Sequence, residues 1–154
     1  MYNTATEALE SLRLTPEVLT KILHHITPAQ ARTKPDQRGG WSVIEVVSHL
    51  RDTEERVIAR LRMLRDEARP VIAGFDQEAL AREGKYGAND LHVTLAAFAA
   101  LRATHVAELT ALQPEQWERT GRHITNGAVS ILNHTLHAVW HDTIHLAQIV
   151  RQLP

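Results

Sequence analysis

The chain has 154 residues, 44% of them apolar, and a formal charge of −1 from 17 basic and 18 acidic residues spread along its length. That length suits one domain, residues 1–154, around one buried core, and the lack of any basic block excludes a nucleic-acid partner. The absence of Cys excludes disulfides and thiolate metal ligands. No apolar stretch reaches the ~20 residues of a membrane span, and "MYNTATEALESLRL" lacks the basic start and apolar run of a signal peptide, so a cytoplasmic chain with no membrane partner is expected.

Strand signals are almost absent, and apolar residues at helical spacing recur through most of the chain. The first helix is expected to start in "TPEVLTKILHHI", with Thr15 as N-cap and Pro16 at the first helical position, where its missing N–H costs nothing. The stretch "TPAQARTKPDQRGG" breaks it with two prolines and a glycine pair. The second helix opens in "GWSVIEVVSHL", where Ser42 and Glu45 form a capping box and Trp41 can pack on Val46 as a hydrophobic staple. Val43, Val47, Leu50, Val57, Leu61 and Leu64 mark its buried face, and the pattern fades before Pro70. A third helix is expected from about Leu91 to Leu112, with Leu95, Phe98, Leu101, Val106 and Leu109 inward, and a fourth from about Ala128 to Gln152. The links of roughly 15, 22 and 14 residues exceed the usual two to eight between antiparallel bundle neighbours, so crossovers between parallel helices are permitted. The segment from Arg69 to Asp90 reads as an ordinary surface loop or as a mobile cover over one end of the bundle.

Ten residues are His, and four of them lie between His134 and His145. At 100° per residue, His134, His137, His141, His145 and Gln148 fall within about 80° of one another on the last helix. His141 and His145 are the natural pair, because an i, i+4 spacing lets two imidazoles converge on one ion at roughly 2.0–2.1 Å. The segment "HDTIH" superficially resembles the H-E-x-x-H of zinc proteases, but Asp142 is shorter than the Glu that would act as base. With nine residues after His145, a third ligand is expected on another helix. His49, on the polar edge of the second helix with Ser42, Glu45, Asp52 and Arg56, is the best candidate, since bundles build metal sites from facing helices. Glu45 is explained by capping, and His24 and His25 by the dipole at the end of the first helix. His92, His105 and His123 show no partner pattern. His137 could join the other two only by leaning across two turns, about 12 Å, so a shared ion is not expected; His134 and His137 could line the cavity, and the role of His137 stays open.

"GWSVIEVVSHLRDTEER" followed much later by "HAVWHDTIHLAQI" resembles the DinB/YfiT-like family of metalloenzymes, which opens its second helix with Trp-Ser, continues to His-Leu, and closes with H-x-x-x-H and Gln-Ile on the last helix. The resemblance runs along essentially the whole chain in helix order and is specific in those two blocks. It implies an all-α four-helix bundle of up-down-down-up type with long crossovers, frequently a homodimer. By position it also implies a divalent metal, zinc or nickel most often, on His49, His141 and His145, with open coordination positions. By analogy with the family, the ion would activate a low-molecular-weight thiol in a transferase or isomerase acting on a small molecule. Metal-activated water in a hydrolase is the alternative, followed by a non-catalytic binding domain and a helical interaction protein with structural histidines. Asp52, one turn on from His49, is expected either to orient a ligand's free N–H or take a proton, or to pair with Arg56. Gln148 is expected to bond a ligand or to close the helix packing.

Overall fold

The computed structural model describes residues 4–35 and 40–154. In chain order it contains α1 (Thr4–Ile22), α2 (Pro28–Arg32), α3 (Val43–Asp66), β1 (Val71–Ile72), α4 (Gln77–Glu83), α5 (Leu91–Thr110), β2 (Thr120–His123), β3 (Gly127–Ser130) and α6 (Ile131–Val150). The four long helices form the bundle. α1 and α3 each pack against both α5 and α6, so the first two long helices lie diagonally across the bundle from each other. A diagonal cannot be crossed by a tight turn, which accounts for the long links.

Side-chain pairings give the directions. Ser48–Asn89, Glu54–Arg102 and Arg65–Glu108 pair increasing positions of α3 with increasing positions of α5 and of the turn before it, so these two helices run parallel. His49–His141 and Val57–His134 pair rising with falling numbers, so α3 and α6 are antiparallel. Leu12 shares a core cluster with Ile131 and Ala138, and Leu19 shares another with Ile149, so α1 and α6 run parallel. The order is up-down-down-up, as the family resemblance implied.

Ser42 caps α3, and Glu45 accepts hydrogen bonds from its backbone N–H and its hydroxyl, both at 2.8 Å, and from Lys34. All six residues expected on the buried face of α3 are buried. α5 begins after Asp90, whose carboxylate accepts from Val93 N at 2.9 Å.

Several expectations need correction. α1 starts eleven residues before Thr15 and runs straight through Pro16, so Thr15 is a buried helical residue and not a cap. A proline inside a helix leaves the carbonyl four residues back without its N–H. That carbonyl belongs to Leu12, and Arg102 Nη1 donates to it at 3.0 Å. His24 and His25 consequently lie in the turn after the helix. The break that follows contains α2, capped by Thr27, and its residues 36–39, with the first of the two glycines, lie outside the described residues.

On α5, Leu101 is only half buried, and Arg102 and His105 occupy the interior. The last helix begins at Ile131 after Ser130, because Ala128 belongs to a strand. β1 pairs in parallel with β2, and β2 pairs antiparallel with β3. This short sheet leaves no period in the sequence because its strands have two to four residues and mixed polarity. Gly121 makes its contact with the end of α3 possible: an added Cβ would lie 2.8 Å from Pro70 Cγ and 2.9 Å from Leu64 Cδ2. The segment from Arg69 to Asp90 is an ordered cover carrying β1 and α4, with Ile72 and Tyr86 buried.

The polar centre of the bundle is Arg102. It donates to Glu54 Oε1 at 2.8 Å and Oε2 at 2.9 Å, and to Asp142 Oδ2 at 2.6 Å and Oδ1 at 3.0 Å. Thr15 and His105 complete the cluster through Asp142 and Glu54. Burial alone would push the Glu54 carboxyl up, but His105 and Arg102 outweigh it and hold it down at about 2. Arg102→Met should lower the unfolding free energy by about 3–5 kcal/mol, because it strands two buried carboxylates and the Leu12 carbonyl. Urea unfolding at neutral pH measures this, and a loss below about 1 kcal/mol would contradict the role given to Arg102.

Candidate metal centre

The three histidines singled out on two different helices meet in space. His49 Nε2 lies 3.0 Å from His141 Nε2, and His141 Nε2 lies 3.2 Å from His145 Nε2. One nitrogen from each falls within 4.8 Å of the others. α6 supplies two imidazoles from successive turns, and α3, running antiparallel beside it, supplies the third from the facing side.

The outer ring nitrogens of His145 and His49 have partners. His145 Nδ1 lies 2.8 Å from Gln148 Oε1, and since a carbonyl oxygen only accepts, Nδ1 carries the proton and Nε2 is left with a lone pair. Thr53 Oγ1 stands 3.4 Å from His49 Nδ1. Trp41 packs its ring against His49 with centroids 4.9 Å apart, and Tyr86 meets Trp41 edge-on at 6.3 Å. The Trp-Ser pair at the start of α3 thus serves both the helix cap and the site.

Burial is the main force that keeps these imidazoles neutral. It pushes His49 down to about 4, helped by His145, and His141 down to about 3, helped by His145 and His49. His145 is also lowered by burial, against the opposing pull of Gln148 and Asp142. A proton on one inward nitrogen can serve only one neighbour well, whereas a cation at the centre would satisfy three lone pairs together. Nitrogens 3.0 and 3.2 Å apart suit ligand bonds of about 2.0–2.1 Å to such an ion. The donor set fits a borderline divalent metal.

The remaining candidates separate clearly. Asp52 neither reaches the three imidazoles nor pairs its carboxylate with Arg56. Its oxygens take hydrogen bonds from Arg51 at 2.7 Å and from Tyr86 Oη at 2.7 Å, and Arg56 donates to its backbone carbonyl at 2.8 Å. Asp142 turns inward to Arg102 and Thr15, so "HDTIH" contains no free carboxylate in the position of a protease base. His137 and His134 line a cavity of about 430 Å³ between α3 and α6, which has His49 and His141 at one end. That volume is in the range of small-molecule sites, about 300–1,000 Å³. Gly74 and Phe75 from the cover, and His123 and Asn126 from the β2–β3 hairpin, form its outer wall. Sequence reasoning missed Glu54, Arg102 and His105. The available signal was charge on an apolar stripe, since Glu54 follows Leu50 by one turn and Arg102 lies midway between Phe98 and Val106.

A four-helix bundle of this topology with three imidazoles meeting between antiparallel helices defines a class of metal-site bundle proteins. The chain belongs to the DinB superfamily, which it matches over residues 11–149. A protein of Oceanobacillus iheyensis, provisionally named a metal-dependent hydrolase, is 32% identical over 111 residues. The match covers 72% of this chain and 64% of that relative. YfiT of Bacillus subtilis, which carries a name of the same kind, is 28% identical over 142 residues, covering 92% of this chain and 79% of YfiT. The solved structure of YfiT, described as "a probable metal-dependent hydrolase with an unusual four-helix bundle topology", superposes with a TM-score of 0.89 at 27% identity over 96% of this chain and 85% of that one. No described helix is long and apolar enough to cross a membrane.

The depressed imidazoles make stability depend on pH in a stated direction. An unfolded chain protonates these residues near 6.5, whereas the folded chain holds His49 and His134 neutral to about 4 and His141 to about 3. The unfolded state therefore binds more protons in that window, and stability falls as pH drops. In the presence of chelator, urea midpoints should decline steadily from about pH 6.5 to pH 4. A flat profile would mean that the three rings are not buried as described.

Proposed function

We propose that the protein is a metal-dependent enzyme acting on a small molecule, with His49, His141 and His145 as the ligands of a divalent ion, zinc or nickel. The observation that carries this reading is the convergence of three imidazole nitrogens, two of them from residues that line a ligand-sized cavity. When bound, such an ion would lower the pKa of a thiol or water at an open position.

The chain's own residues supply positioning and exclusion. Gln148 holds the His145 ring, and Trp41 and Thr53 flank His49, so the nitrogens face inward before any ion arrives. The carboxylates that line the cavity, Glu54 and Asp142, are both engaged by Arg102 and are poorly placed to take a proton from water. That favours a low-molecular-weight thiol, which needs ionisation more than a strong base, and hence a transferase or isomerase. The exposed His137, one turn from His141, is available as a proton acceptor. Hydrolysis is the second reading, and the names of the relatives favour it.

We further hold the chain to be one domain that works in the cytoplasm as a homodimer. Leu136, Trp140 and Ile144, spaced one turn apart on α6, are exposed and would suit a second copy.

Protein purified without chelator or polyhistidine tag should contain about one metal ion per chain by elemental analysis. His49→Ala, His141→Ala and His145→Ala should each lose most of it on dialysis, and His137→Ala should keep it. Equal loss in all four variants would overturn the ligand set. Cobalt-loaded protein should gain a sulfur-to-metal absorption band on addition of a small thiol. A spectrum indifferent to every cellular thiol tested would move the reading to hydrolysis.

A further inference from the structure

The far end of the cavity has a cation, Arg60, that no carboxylate among the described residues neutralises. Arg60 lines the cavity, is half buried, and donates one hydrogen bond, to the Ala73 carbonyl at 2.6 Å. Arg56 lies one turn away on α3 and uses a backbone carbonyl, that of Asp52. Among the described residues, no carboxylate stands within ion-pair distance of either guanidinium. Both flank the ring of Phe75, at 5.1 and 5.2 Å from its centroid. Two like charges at i, i+4 on one helix repel and cost stability. Burial and the neighbouring Arg56 both push the Arg60 pKa down, so the fold bears a cost to keep this charge where it is. The two acids on the cavity wall, Glu54 and Asp142, are occupied with Arg102 and do not offset it.

Arg60 also lies on the same face of α3 as His49, only about 20° away on the helical wheel and three turns further along, about 16 Å between Cα atoms. The cavity connects the two ends. We propose that it takes an elongated small molecule whose reacting group reaches the three histidines while a carboxylate at its other end is bound by Arg60, with Arg56 adding long-range attraction. This rests on the metal reading above for its near end and on Arg60 alone for its far end. Guanidinium recognises carboxylate through paired N–H donors, and four of the five on Arg60 are left for a ligand. Gly74 and Phe75 of the cover line the cavity at this end.

The probes are ω-mercapto carboxylic acids of increasing chain length, each compared with the neutral ω-mercapto alcohol of the same length. They are titrated calorimetrically into zinc-loaded protein whose metal content is measured first. At one optimal length the acid should bind at least about tenfold more tightly than the alcohol, as expected for a charged hydrogen bond. Arg60→Gln should abolish that difference with metal content and alcohol affinity unchanged. Equal binding of acid and alcohol at all lengths would overturn the inference, as would a preference for acid that survives Arg60→Gln, since that would place the carboxylate on the metal. Loaded protein that takes up neither series would overturn it too, leaving the ligand assignment intact. Protein that retains no zinc would sink the metal reading and this inference with it.

Discussion

Arg102 is the residue on which the bundle turns. Its guanidinium has five N–H groups, and all five are used: two on Glu54, two on Asp142 and one on the Leu12 carbonyl. A buried cation is tolerable only when its donors are matched and its charge is balanced. Here the matching joins one point on each of α1, α3, α5 and α6. The same contact explains why α1 can contain a proline, since the carbonyl orphaned by Pro16 is the one that Arg102 satisfies. It also sets helix rotation. With Asp142 and Glu54 turned toward Arg102, the rings of His141 and His145 on α6 and of His49 on α3 are carried to the facing surfaces.

The site adjoining this cluster combines opposite requirements. Its imidazoles are deep enough in the protein that protonation is disfavoured well below neutral pH, yet they border a cavity that a small molecule could enter. Hydrogen bonds at the outer nitrogens of His145 and His49, together with the Trp41 ring, fix orientation without a hydrogen bond to any carboxylate. Asp52 serves the scaffold, joining Arg51 and Tyr86 and so tying the cover to α3. Glu54 and Asp142 are likewise committed to structure. Among the described residues, the charged group left without a counter-ion on the cavity wall is Arg60, and this asymmetry is what gives the cavity a direction.

Much of the helical frame was legible in the sequence, for a local reason. A capping box, an apolar stripe and an i, i+4 histidine pair are each contained in a few turns of chain, and the physics that links them is that of a single helix. The buried face of α3, the start of α5 and the shared face of His141 and His145 could all be read in this way. The residue blocks around Trp41 and His141 carried the family resemblance because they hold the contacts between α3 and α6.

Other features were decided by tertiary structure. Pro16 looked like a helix start because proline normally cannot lie inside one, and only a donor 86 positions later in the chain makes it possible. The sheet was hidden because a two-residue strand has no period, and it exists through pairing with a segment some 50 residues away. Asp52 was ambiguous on the helical wheel, which gives direction but not distance, until Tyr86 arrived from the cover. By itself the sequence determined which residues could face one another. The bundle's diagonal topology decided which of them did, because burial, charge pairing and ligand geometry depend on neighbours that are far apart in the chain.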